Sequence, residues 1–405
     1  MKNRFTDSFF SSVYPLIILT PLRNFFLKKK STDTLAISIN DPWAGNSDEG
    51  YKILKGYLTV CGETISIEKN IWKNKTASKI WFEELHSFNW VKDLKAVGSN
   101  QARRFVRQCI LDWVSLFSDW SKSIWKSDIL AKRICNLLGS YNFFFSSADE
   151  MFQKTLIKSI DRQTTHLIRY KLNDIDGFNR IFGIKGMILG SVSFRGLNKN
   201  LGYCLALLLK EIDKQILSDG SHYLKSPSKH LEFLRNLIDI KYFLSRSKKT
   251  MPIELNNAIE KMASVLKSYL HGDGSLATFN DSQPIDKIVI DQIILRANSK
   301  LKIPDSSRTT GIYKIKENKM TFLIDTGNPI KENTFAGSLS FELSFGRNRI
   351  VVNSGAPHIQ NKRWSEAMRS TAAHSTLTID NVNSSDIFFG KQKMTRVAKV
   401  WSKKM

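Results

Sequence analysis

The chain lacks long hydrophobic runs, has few cysteines and carries a deficit of acidic residues. No stretch of eighteen consecutive apolar residues occurs, which excludes a protein with several membrane spans. The 4 cysteines lie far apart, without C-x-x-C or zinc-finger spacing, at Cys61, Cys109, Cys135 and Cys204. This spacing disfavours a disulfide scaffold or a zinc module and favours reduced core thiols.

Short motifs of several common enzyme sites are also missing. The chain has no P-loop, no G-x-G-x-x-G turn, no Ser-His-Asp order and no H-E-x-x-H pair. Function must therefore be argued from charge, periodicity and longer residue patterns.

The composition is that of a folded basic protein of two or three domains. Of the 405 residues, 42% are hydrophobic, and 61 Lys and Arg face 37 Asp and Glu, giving a net charge of +24. The excess positive charge is spread along the chain and favours a polyanionic partner: nucleic acid, an anionic membrane surface or an acidic polysaccharide. The alternative is a Lys-rich composition with no such partner.

The N-terminal residues 1–30 only faintly resemble a signal peptide. A modest apolar stretch covers residues 9–19, but Asp7 and Pro15 interrupt the pattern and no small-x-small cleavage site follows. We expect a structured, retained segment. Without a convincing signal peptide, the expected localisation is cytoplasmic or periplasmic.

Periodicity predicts an α + β multidomain chain in three parts. Residues 1–78 form a lead-in segment with short strands, including one near 35–39 and a hairpin around Gly62. Residues 79–304 show helical spacing, and residues 305–405 alternate as in an antiparallel sheet. Strands are expected near 311–315, 320–324, 339–345, 349–352 and 376–379. In 339–345 the apolar side chains should face the core and the polar ones should face solvent.

Several stretches together resemble the heparinase II/III-like family of polysaccharide lyases. Four supporting stretches are Asp41–Asn46, Trp90–Gly98, Asp219–Ser228 and His271–Gly274, and the most specific three are Leu339–Leu343, Val352–Gly355 and Arg369–Leu377. The resemblance implies an (α/α) toroid of helix pairs followed by an antiparallel β-sandwich portion. Full members have a longer β-sandwich, so the β-domain is expected to be incomplete.

The resemblance also implies β-elimination next to a uronic acid, which needs carboxylate neutralisation and a base at C5. Asn179 matches the family's carboxylate-binding Asn, and Arg180 follows where a His is common. The alternative is that Asn179 caps the next helix.

Tyr223 and His230 are the proton-transfer candidates, with Lys229 at the position of the family's catalytic Tyr. Ordinary surface or N-cap histidines are the alternative for His222 and His230.

In the β-domain, His374 alone matches a family histidine. The family's metal-binding and catalytic positions correspond to Asn333, Phe335, Gly337 and Asn353, and His358 has no matching motif. We therefore predict no metal and no cofactor. His374 is a catalytic candidate, the alternative being a buried histidine bonded to a backbone carbonyl. His271 and Arg369, with Arg180 and Lys229, are the substrate-binding candidates, although His271 could equally belong to a tight turn.

Three functions are compatible with these patterns. The first is a lyase acting on an acidic, uronate-containing polysaccharide. The second is a non-catalytic protein that binds such a polysaccharide in cell-surface polysaccharide metabolism. The third, nucleic-acid binding, fits the charge alone and ranks last because no recognisable module is present. The expected partner is thus an acidic polysaccharide, with no nucleic acid and no integral membrane span.

Overall fold

The computed structural model describes residues 34–67, 71–73, 77–304, 306–307, 310–330, 335–356 and 362–387. The predicted lead-in segment 1–30 and the candidate positions Asn333 and His358 lie outside these residues.

Helices dominate the described residues up to position 297. They are α1 (Ser47–Leu54), α2 (Lys79–Ser87), α3 (Val91–Val97), α4 (Asn100–Phe117), α5 (Ser127–Gly139), α6 (Tyr141–Phe145), α7 (Glu150–Tyr170), α8 (Arg180–Ser193), α9 (Leu201–Gln215), α10 (Pro227–Arg246), α11 (Ile253–Ser268) and α12 (Lys287–Ala297), with α13 (Lys362–Ala367) later in the chain. Helix starts follow local signals: Ser99 accepts a hydrogen bond from the Ala102 amide before α4, and Asp149 accepts one from the Phe152 amide before α7.

The described strands form two antiparallel sheets. They are β1 (Tyr57–Val60), β2 (Glu63–Ser66), β3 (Ser306–Ser307), β4 (Ile312–Glu317), β5 (Met320–Asp325), β6 (Phe341–Phe345) and β7 (Asn348–Val351). The first two pair as a hairpin, and the other five pair in chain order. In the hairpin turn Cys61 and Gly62 both have positive φ, 49° and 79°, as a two-residue type I′ hairpin turn requires. The predicted hairpin around Gly62 is confirmed, as is that of β4 and β5.

Two predicted strands are wrong. Residues 35–39 form no strand; the Ala36 amide donates to the Ser193 carbonyl in the helical part of the chain. Residues 376–379 contribute only an isolated bridge between Ile379 and Val382. The 4 cysteines are free thiols, as expected, but Cys61 is exposed instead of lying in the core.

The faces of β6 are the reverse of the prediction. Glu342 and Ser344 are completely buried, whereas Phe345 is 52% exposed. The polar side chains are buried because the segment after α11 supplies hydrogen-bond partners for them, as described below. The face of β6 that carries Glu342 and Ser344 is thus buried because of a polar network. The alternation of polar and apolar residues along the strand does not show that this network exists.

The chain divides into two compact units. The first comprises residues 1–208 and 242–250, and the second comprises residues 209–241 and 251–405. The second unit therefore contains helical residues as well as β3 to β7. The domain boundaries expected from the sequence, at 78/79 and 304/305, remain predictions.

Candidate functional site

Asn179 and Arg180 lie in the first unit, at the start of α8. Asn179 ends a short 3₁₀ turn, Gly177–Asn179, and its side chain is exposed and makes no cap hydrogen bond. Asn179 therefore occupies the N-cap position of α8, as the capping interpretation expects, but its exposed side chain does not cap the helix. Arg180 is half-buried, and its Nη1 donates to the carbonyls of Leu172 and Ile175 at 3.3 and 3.2 Å. Part of the guanidinium thus holds the preceding loop in place.

In the second unit, two candidate histidines form a buried chain of hydrogen bonds. The His222 amide donates to His230 Nδ1 at 3.3 Å, and His230 Nε2 lies 2.8 Å from the Met262 carbonyl oxygen. Because a carbonyl only accepts, Nε2 of His230 carries the proton. His222 receives the Leu224 amide on Nδ1 and contacts Gln215 Oε1 through Nε2, both at 3.2 Å. All four ring nitrogens of the pair are therefore engaged.

Burial keeps both imidazoles neutral. It lowers the pKa of His230 to about 4 and the pKa of His222 well below its ordinary value. Both side chains are about 1% exposed, so the surface-histidine interpretation is wrong. The neighbouring candidates Tyr223 and Lys229 are half-buried, and the Tyr223 ring centroid lies 5.0 Å from that of His222.

His271 belongs to a network centred on Glu342. Its Nε2 lies 2.8 Å from Glu342 Oε2, and its Nδ1 lies 3.0 Å from Ser344 Oγ. The other carboxylate oxygen accepts from the amide and hydroxyl of Thr278, at 2.8 and 2.7 Å, while Arg349 donates to Oε2. His271 and Glu342 are fully buried, so His271 is directed at the sheet and not at solvent.

The network brings a loop of the second unit against the turn after β6. Gly272 is needed there because a Cβ at this position would lie 1.9 Å from the Gly346 carbonyl oxygen. Desolvation alone would raise the pKa of Glu342, but hydrogen bonds from His271 and Thr278 and the charge of Arg349 outweigh it and lower the pKa. Glu342 is therefore a buried carboxylate that remains ionised.

Arg369 and His374 are brought together around Phe335. The Arg369 Cζ lies 5.3 Å from the centroid of the Phe335 ring, and the His374 ring lies 6.0 Å from it. His374 is 8% exposed, and within the described part of the chain neither of its ring nitrogens has a hydrogen-bond partner. The proposed bond from His374 to a backbone carbonyl is thus not found. Burial lowers the pKa of His374 to about 4.

The residues present around His374 do not fit the metal site of the family. Phe335 has no donor atom, and the Asn353 Oδ1 accepts from the amide and hydroxyl of Ser375, both at 3.0 Å. Gly337 has no side chain, and a Cβ there would lie 3.0 Å from the His374 ring. Among the described residues no group of three His, Cys, Asp or Glu side chains could hold a metal ion.

A second buried carboxylate, Asp325, was not predicted from the sequence. Its Oδ1 accepts from the Gly327 amide at 2.9 Å and its Oδ2 accepts from Asn280 Nδ2 at 3.1 Å. These hydrogen bonds and the nearby charge of Lys225 lower the pKa of Asp325, but burial outweighs them and raises it to about 6. Lys225 donates to the Asn328 carbonyl at 2.8 Å, and burial lowers its pKa. No spacing in the sequence links these residues, which are separated by up to 103 positions.

Comparisons with known proteins cover both parts of the chain. The family profile described as "Heparinase II/III N-terminus" matches residues 43–306, and that described as "Heparinase II/III-like, C-terminal" matches residues 300–405. The chain belongs to the heparinase II/III-like family. The resemblance predicted from the motifs is confirmed.

Individual relatives are distant. The chain is 25% identical to FtsZ-localized protein C of Caulobacter vibrioides over 349 residues, covering 84% of this chain and 59% of that protein. It is 23% identical to the heparin-sulfate lyase of Pedobacter heparinus, covering 78% of this chain and 54% of that one. The chain thus spans somewhat more than half the length of these relatives.

Solved structures show the fold. A crystal structure of heparinase III matches with a TM-score of 0.69 at 14% identity, covering 92% of this chain and 67% of that one. The heparan sulfate lyase of Pedobacter heparinus matches with a TM-score of 0.58 at 18% identity, covering 84% and 60%. The predicted fold class, an (α/α) toroid followed by an antiparallel β-sandwich portion, is confirmed. No described helix combines the length and apolar character needed to cross a membrane.

Proposed function

We propose that this heparinase II/III-like protein binds an acidic, uronate-containing polysaccharide without cleaving it. The family membership supports a polysaccharide ligand, and the net charge of +24 supports an acidic one. Each unit offers its own group that can bind a carboxylate: the exposed amide of Asn179 in the first unit, and the half-buried guanidinium of Arg369 in the second.

The hydrogen bonding of the histidines carries the non-catalytic proposal. Proton transfer needs a ring nitrogen within reach of the substrate. In three of these histidines both ring nitrogens form hydrogen bonds within the protein: His222, His230 and His271. Both nitrogens of His374 are buried, and Lys229 stands where the family has its catalytic Tyr. The name of the relative FtsZ-localized protein C describes a localisation and not a sugar-cleaving activity, which is compatible with binding alone.

A lyase is the second candidate. Tyr223 favours it, because a half-buried phenol can act as general base or acid, and Asn179 is not occupied as a helix cap. In this mechanism the Tyr223 side chain, as phenolate, would take the C5 proton. The electrons of the C5–H bond would form the C4=C5 double bond as the C4–O bond breaks, and the phenol so formed would return its proton to the leaving glycosidic oxygen.

One experiment separates the two candidates. The full chain is incubated with a panel of acidic polysaccharides. Two quantities are measured: the heat of binding, and the near-ultraviolet absorbance of an unsaturated uronide product. Saturable binding without absorbance supports the binding function, whereas an absorbance increase that Tyr223→Phe abolishes establishes the lyase.

The matched control tests whether binding is more than charge attraction. Asn179→Ala should weaken binding about tenfold, as expected for one lost hydrogen bond to a charged group, while Asn173→Ala, in the exposed loop nearby, should not. Equal affinity for every polyanion, nucleic acid included, with no effect of Asn179→Ala would refute specific polysaccharide binding.

A further inference from the structure

A cavity of about 250 Å³ lies in the first unit, between the end of α4, the segment before α5 and the middle of α7. Its wall combines hydroxyl groups, two cations and an indole, contributed by Ser118, Trp125, Thr155, Lys158, Ser159 and Arg162. None of these residues belongs to the stretches on which the family resemblance rests.

Helix α7 supplies the polar wall. Lys158, Ser159 and Arg162 lie three, four and seven residues after Thr155, so the four side chains share one face of the helix. The rest of the lining comes from Val114 of α4, from Ser118 directly after it and from Trp125. The cavity thus combines hydroxyl groups and cationic side chains with a smaller set of apolar groups.

Arg162 is held in position beside this cavity. Its Cζ lies 5.8 Å from the Trp125 ring centroid, and its Nη2 lies 3.7 Å from Asp119 Oδ1. The Asp119 side chain is 74% exposed, and such long, solvated ion pairs contribute little. Lys158 and Arg162 place two cationic side chains in the wall of the cavity.

From this geometry we infer that the cavity is a subsite that binds a single hexuronate unit. That this unit belongs to a polysaccharide chain rests on the proposed polysaccharide-binding function. The carboxylate would pair with Arg162 and Lys158, and the ring hydroxyls would bond the serine and threonine hydroxyls. Small-molecule sites usually measure about 300–1,000 Å³, so a cavity of this size takes one sugar ring and not an extended oligosaccharide.

The state of Trp125 argues against a nucleotide as the ligand. Its indole is 2% exposed, with Arg162 over its ring and the His166 ring edge-on at 5.3 Å. The indole N–H donates to the Phe117 carbonyl at 3.1 Å. No open aromatic face remains on which a base could stack.

The test is a titration of the full chain with D-glucuronate, followed by saturation-transfer NMR, with D-glucose and inorganic phosphate as comparison ligands. Lys158→Ala and Arg162→Gln should each weaken glucuronate binding about tenfold, as expected for one lost charge-assisted hydrogen bond. Lys154→Ala is the matched control: it lies one turn earlier on α7, pairs with Glu150 and does not line the cavity. It should bind like the wild type, and glucose should bind more weakly than glucuronate.

Three results would overturn the inference: unchanged glucuronate affinity in both variants, an equal loss in Lys154→Ala, or phosphate binding as tightly as glucuronate. If Lys158→Ala and Arg162→Gln both bind the polymer and the monosaccharide normally, the subsite is refuted and the polysaccharide-binding function stands. If no polymer binds but glucuronate does so with the expected variant pattern, the proposed function fails and the subsite stands.

Discussion

At the scale of single residues, Glu342 shows how one carboxylate can join a loop to a sheet. It accepts hydrogen bonds from His271, Thr278 and Arg349, and the Asn353 amide group lies 3.3 Å away. Since the side chain is completely buried, its removal would leave several donors without an acceptor.

We expect Glu342→Ala to lower the free energy of unfolding by about 3–5 kcal/mol, the usual loss on breaking a buried ion pair. Urea unfolding at pH 7 measures this loss, and Glu317→Ala on the exposed end of β4 should change stability by less than about 0.5 kcal/mol.

Because the pKa of Glu342 is held below 4.5, the contribution of Glu342 to stability is present above that pH and is lost as the pH falls through the lowered value. Identical unfolding midpoints for the wild type and Glu342→Ala would refute this role.

The sequence identified candidate residues but not the state of their side chains. Motifs located His230, His271 and His374, yet decisive hydrogen-bond partners come from distant parts of the chain: Met262 for His230, 32 residues away, and Ser344 for His271, 73 residues away. Partners at such separations are set by tertiary packing, so spacing cannot show that two of these imidazoles are fully engaged while His374 is not.

At the scale of elements, periodicity located most of the sheet strands but gave the faces of β6 the wrong way round. Alternation in 339–345 located β6 because a strand's side chains point to opposite sides in turn. Which side is buried depends on what covers it, and here His271 and Thr278 cover Glu342 and Ser344. The apolar side, including Phe345 and Ile350, is left 52% and 60% exposed.

Substitutions on the two faces should therefore behave oppositely. Phe345→Ser combined with Ile350→Thr should cost less than about 1 kcal/mol and reduce the fluorescence of a bound apolar dye, because these side chains are exposed. Leu323→Ser on β5 should cost more than about 2 kcal/mol, because Leu323 is fully buried. Comparable destabilisation by the double variant would mean that the apolar face is covered.

At the scale of the whole molecule, buried neutral histidines occur in both units. Burial lowers the pKa of His86 and His166 to about 3, of His230 and His374 to about 4, and of His222 well below its ordinary value. In the unfolded chain each would titrate near 6.5. Between pH 6.5 and 4 the unfolded state thus binds more protons than the native state.

The protein should consequently lose stability as the pH falls from 7 to 5. A native pKa below the unfolded value makes stability rise with pH, and one pKa unit corresponds to about 1.4 kcal/mol. Asp325 and Asp93 act in the opposite direction, because burial raises the pKa of both carboxyls, that of Asp325 to about 6, but they are two groups against five. Urea unfolding at several pH values measures the slope, and His374→Gln should reduce it by about one proton, because this histidine has no hydrogen bond to lose among the described residues. A stability that is constant or increases from pH 7 to 5 would show that the histidines are not held neutral in the native state.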